Sequence, residues 1–163
     1  MTLPDGYVSP DFFTWLDALT THPSFVLCTA LNERLIEERF DLELAVRFLV
    51  LHARPQEKLT LGALRDFSQV LDDESIRLAG VFPAGSDELA RVFRTTFDTI
   101  ATGGGEQVFR RWDDKRSEFK GSFLLTAFEV FGLGLGFHVS AGTPHKRDLL
   151  GVVKEFWRRP EMQ

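Results

Sequence analysis

The chain has little of what cross-links a protein, ligates a metal or crosses a membrane. It carries one cysteine, one tyrosine and two methionines in 163 residues. A lone cysteine, Cys28, excludes an intramolecular disulfide and any multi-cysteine zinc site, and it fits a reducing compartment, so a cytoplasmic location is expected. No stretch reaches about eighteen uninterrupted apolar residues, and the opening MTLPDGYVSPDFF has no basic region followed by an apolar one. No membrane partner is expected. The phosphate-cradling pattern G-x-x-x-x-G-K-[ST], the G-x-S-x-G elbow, the H-E-x-x-H helix and the kinase signature are all missing. His22, His52, His138 and His145 lie far apart in the chain. None has a His or Cys at zinc-ligand spacing, and each sits near a predicted element boundary, where surface positions are common. Neither a metal nor a cofactor is expected.

What the chain does have is phenylalanine. Sixteen of them, within a composition that is 44% hydrophobic and 26% charged, predict one domain over residues 1–163 with a Phe-rich core. Apolar residues recur at three- and four-residue steps along most of the chain, and no run alternates with period two. The fold class expected is therefore all-α, a bundle of about six to eight helices.

The first helix begins at Ser9-Pro10 and stops near Thr21. Ser24 caps a second, with Phe25, Cys28, Leu31 and Leu35 on its apolar face. Asp41 caps a third, LELAVRFLVLHA, which ends before Arg54-Pro55 and is apolar on nearly every side. A fourth starts at Thr60, a short one spans 73–79, and Ser86 or Asp87 caps DELARVFRTTFDTIA. A last helix starts at Thr143-Pro144. Cys28, on an apolar face, reads as a buried structural thiol.

The stretch EVFGLGLGFHV places glycines at 132, 134 and 136 after a run with helical spacing. A dinucleotide fingerprint needs G-x-G-x-x-G opening a helix, so these glycines read as weakening a helix or admitting a close neighbour. Charge is uneven: residues 1–105 carry 16 acidic and 9 basic side chains, residues 106–163 carry 8 and 10. Any DNA contact is therefore expected in the later part. Its candidates are Arg110, Arg111, Trp112, Lys115, Arg116 and Lys120, cations around an aromatic, with a solvated loop as the simpler reading.

Asp41, Glu43 and Arg47 are the only charges in the third helix. A guanidinium inside a bundle must find a carboxylate, and Glu43, four residues earlier, and Glu129 are the candidates. If that network is buried, breaking it costs on the order of 3 to 5 kcal/mol. The alternative is an interdomain surface, or a pocket around Arg47 and Glu129 in a stand-alone small enzyme or ligand-binding bundle.

At these residues the sequence resembles a known family. DLELAVRFL, with Asp41, Glu43, Arg47, Phe48 and Leu49, is similar to the D-x-E-L-V-x-R-F-L segment in the helical part of the GmrSD-type proteins, family 262 of the domains of unknown function. Gly105 to Arg110 resembles that family's F-G-x-x-A-F-R segment, and Phe123 with Phe128-Glu129 its F-N-x-A-L-F-E segment. Leu124 stands where the family often has Asn, and Gly104 where it often has Phe. The resemblance spans roughly residues 25 to 140. It implies a non-catalytic helical module of a DNA-restriction or phage-defence system. Its implied partner is a ParB-like nucleotide-hydrolysing domain with a D-G-Q-Q-R motif, in cis or in trans. Neither that motif nor an HNH nuclease pattern occurs in this sequence.

Overall fold

The structure is a computed structural model that describes residues 10–53, 67–145 and 148–163. Helix α1 (Pro10–Thr20) opens on its proline and buries Phe12, Leu16 and Leu19, while Phe13 points outward. Ser9, its expected cap, lies outside the described residues, as do Arg54, Pro55 and the expected helix start at Thr60.

The expected second helix is two. Helix α2 (Pro23–Thr29) stops where Ala30 turns left-handed at φ 43°, and α3 (Glu33–Glu37) restarts under Asn32, whose side chain accepts from the Leu35 amide at 2.9 Å. Asparagine next to an exposed turn satisfies a new helix start better than it continues an old helix. Helix α4 (Phe40–Ala53) starts one residue before Asp41, which therefore lies in the first turn and is not the cap. The fragments expected around 60–71 and 73–79 give, within the described residues, one helix, α5 (Phe67–Val81). Helix α6 (Ser86–Gly103) follows Gly85, which takes the left-handed cap conformation at φ 74°, and buries Ala90, Val92, Phe93, Thr96, Phe97 and Ile100.

A 3-10 turn (Gly105–Phe109) leads into an antiparallel hairpin, β1 (Arg111–Asp113) and β2 (Glu118–Lys120), where a loop was expected. Strands of three residues are too short to display alternation. What holds them is the cross-strand pair of Trp112 and Phe119, with ring centroids 5.0 Å apart, and Asp113, which accepts from the amides of Lys115 and Arg116 inside the turn.

Next, α7 (Leu125–Ala127), a π turn (Phe128–Gly132) and α8 (Leu133–Ala141) run on as one rod through all three glycines. The rod ends at Gly142, φ 68°. Helix α9 (Leu149–Arg158) begins later than Thr143-Pro144, because Asp148 accepts from the Gly151 amide at 2.9 Å and makes the cap there. The result is all-α apart from the small hairpin. Phe25, Phe48, Phe93, Phe97, Phe109 and Phe128 are fully buried, and Phe97 meets the other five rings at centroid distances from 4.8 to 6.5 Å. At roughly 1.5–3 kcal/mol for each buried phenylalanine, this cluster outweighs any single ion pair in the molecule. No helix among the described residues is long and apolar enough to cross a membrane.

Candidate functional site

The charges of α4 divide into two groups. Arg47 reaches in two directions, donating to Glu43 at 3.0 Å and, across to the π turn, to Glu129 at 2.9 Å. Its own side chain is 14% exposed, but those of Glu43 and Glu129 are 50% and 37% exposed, so the network is an edge and not an interior. Asp41 takes no part in it. Asp41 is buried and pairs with Arg39 at 3.1 Å, which also bonds Asp17 of α1. Arg39 adopts φ 56°, and its role in joining α1 to the start of α4 has no signal in the sequence.

His52 departs furthest from the surface expectation, while His22, His138 and His145 keep partial exposure. His22 lies next to α2 and meets Asp98 of α6 at 2.7 Å, and Ser24 donates to the same oxygen at 2.6 Å. These two bonds hold the Asp98 carboxyl below its ordinary range, Ser24 first. Serine and imidazole both end on the carboxylate, an arrangement that ties α2 to α6 and sets up no relay from hydroxyl through imidazole. Burial pushes the nearby Cys28 thiol up to about 12, with Asp98 adding to it, so this sulfur is a packing group. His52 is mostly buried against Phe48, centroids 4.3 Å apart, and its Nε2 finds no hydrogen-bond partner among the described residues. Desolvation lowers its pKa to about 4. Among the described residues no three His, Cys, Asp or Glu side chains stand together as metal ligands.

The hairpin cations are largely committed. Lys120 bonds Asp113 at 2.8 Å, Arg110 bonds Glu106 at 3.0 Å, and Arg116 lies 4.0 Å from Glu118. Arg111 donates to the Met162 carbonyl at 2.8 Å and covers the Trp157 ring. Lys115 is exposed, its amide bonded to Asp113. Trp112 packs on Phe119 and under the Lys154 ammonium, 4.4 Å from its ring, while its Nε1 donates to Asp114. A base has little open ring to stack on here.

What the sequence reading missed is a groove. Ile100 of α6, Val130 and Phe131 of the π turn, Gly134, Leu135 and His138 of α8, and Leu149, Val152, Val153 and Phe156 of α9 enclose about 420 Å³, with Val108, His145, Glu155 and Arg159 completing the lining. That volume falls within the range of small-molecule sites. A second cavity of about 420 Å³ lies alongside, lined by Thr95, Asp98, Thr99, Thr102 and Gly103 of α6 and sharing His145 and Leu149. Neither is lined by Arg47 or Glu129.

The chain matches no protein-family model, no curated protein and no solved structure.

Proposed function

We propose that the chain is a non-catalytic helical module that docks, through the exposed edge of its Arg47 network, on a ParB-like nucleotide-hydrolysing domain of a GmrSD-like restriction system. The observation that carries this reading is convergence. The three segments that bear the resemblance are far apart in the chain, yet they pack as one unit. The Leu124 amide donates to the Phe109 carbonyl at 2.9 Å, Phe109 touches Phe123 and Phe128, and Arg47 reaches Glu129. Two half-exposed carboxylates flanking one cation give that unit a charged rim suited to fixing a partner's orientation. Glu43 and Glu129 are the orienting residues in this reading, and no residue is assigned a catalytic role. DNA contact by the hairpin is left to the partner, since its cations are mostly paired.

The test is co-purification with a D-G-Q-Q-R domain encoded in the same genome. Capture is expected for the parent chain and is expected to fall about tenfold for Glu43→Lys combined with Glu129→Lys. The isolated chain is expected not to hydrolyse ATP or GTP. No capture, or turnover by a pure sample that Glu129→Gln removes, overturns the reading.

A further inference from the structure

The three glycines of α8 and its π turn do different work. A Cβ on Gly132 would meet only ordinary contacts with Phe109 and Phe128, starting at 3.5 Å, whereas a Cβ on Gly136 would lie 2.5 Å from His52 Nε2 and 2.7 Å from the Phe48 ring. Gly136 is thus required by packing. Gly134 is not: it stands in a right-handed helix, and a Cβ there would meet nothing within 4 Å. Glycine in a helix interior is unfavourable relative to alanine, so a position with neither strain nor crowding has no structural reason to be glycine. Gly134 is exposed and lines the apolar groove, so the open space over it adjoins that groove.

The groove also has charged lining. Arg159 sits there with its guanidinium 5.8 Å over the Phe156 ring, and no carboxylate pairs with it among the described residues. Glu155, one helical turn earlier, is exposed to solvent and lines the same groove. His138, which also lines the groove, is occupied by Thr143, 2.8 Å away. We infer that the groove binds a small amphipathic monocarboxylate, its apolar chain or ring lying over Gly134 and its carboxylate on Arg159. A guanidinium matches a carboxylate with two parallel hydrogen bonds, and the charge of Glu155 on the same groove opposes a dianion such as a phosphate monoester more strongly than a monoanion. The apolar walls, with Val130 42% exposed at the lip, supply the remaining contact. This site is separate from the Arg47 edge and does not depend on the docking reading.

Calorimetric titration of the whole chain with decanoate, decanol and decylamine, below their aggregation limits, tests the assignment. Decanoate is expected to bind about tenfold more tightly than either of the others. Gly134→Leu fills the space and abolishes binding without lowering the melting temperature. Gly134→Ala, which intrudes less, gives a partial loss and serves as the second variant if the leucine protein melts early. Arg159→Gln removes the preference for decanoate and leaves decanol unchanged. No decanoate binding, equal binding of the three head groups, or decanoate affinity indifferent to both Gly134 variants overturns the inference. Partner capture by Gly134→Leu should equal that of the parent, so failure at the groove and failure at the edge are separately visible.

Discussion

Gly134 and Gly136 occupy one helix two residues apart and should answer the same substitution with opposite signs. At Gly134 an alanine meets open space and relieves the entropy cost of glycine, so Gly134→Ala is expected to stabilise by about 0.5–1 kcal/mol. At Gly136 the added methyl strikes Phe48, a fully buried ring, and His52; overpacking of about 1–3 kcal/mol exceeds the propensity gain, and Gly136→Ala melts lower. Thermal melts of the two variants check both signs. The glycines themselves stand out in the sequence; which face each serves depends on the partner helix, which one helix's spacing does not reveal. His52 carries the pH prediction. Its pKa is about 4 folded against 6.5 for an ordinary histidine, so the unfolded chain takes up the proton first. Its contribution to stability is present above about pH 6.5 and is lost as pH falls from there toward 4, on the order of 3 kcal/mol in all. Urea unfolding at pH 7.5 and 5 should show a smaller drop for His52→Leu than for the parent. An unchanged drop would mean that this imidazole is hydrated in the folded state.

Between elements, Arg47 joins α4 to the π turn. The sequence exposes the pairing, because Glu43 stands four residues before Arg47 and Glu129 interrupts an apolar run in the same way. It does not expose the depth. An all-apolar helix suggests a central charge, whereas α4 leaves one side of its first turns at the surface and both carboxylates reach solvent. The expected cost of Arg47→Met falls accordingly from several kcal/mol to about 1 kcal/mol, and the Arg47–Glu129 coupling in a double-mutant cycle to at most about 1 kcal/mol, shrinking as salt rises. A coupling above about 3 kcal/mol, insensitive to salt, would restore the buried reading. Element boundaries were legible where the period was long: α1, α4 and α6 follow their apolar repeats closely. They were lost where one side chain decides. Asn32 splits a helix, Asp148 delays one, and the Trp112–Phe119 pair makes a hairpin from a stretch that reads as a charged loop.

For the whole molecule, phenylalanine count predicts an aromatic core, and the depth of each ring ranks what its loss should do. Phe97 is fully buried at the meeting point of α2, α4, α6, the 3-10 turn and the π turn, touching Phe25, Phe48, Phe93, Phe109 and Phe128. Truncation there removes both the transfer energy and the contacts of five neighbours that cannot all collapse inward, so Phe97→Ala should cost about 3–5 kcal/mol. A domain of this kind holds only about 5–15 kcal/mol in total, so that single change brings it near the threshold of unfolding. Phe12, 5% exposed on α1 and meeting Phe82 and Trp15, stands at the rim of the cluster and should cost less, about 2–3 kcal/mol. Phe13, on the next position of the same helix but 51% exposed, should cost no more than about 0.5 kcal/mol as serine. Thermal melts of the three variants should order them 97, 12, 13 from most to least damaged, with the Phe97→Ala spectrum losing the dispersed methyl signals of a packed core. If Phe97→Ala melts within about 2 °C of the parent, the bundle does not close around this ring, because each kcal/mol in a chain of this size moves the midpoint by about 2–4 °C.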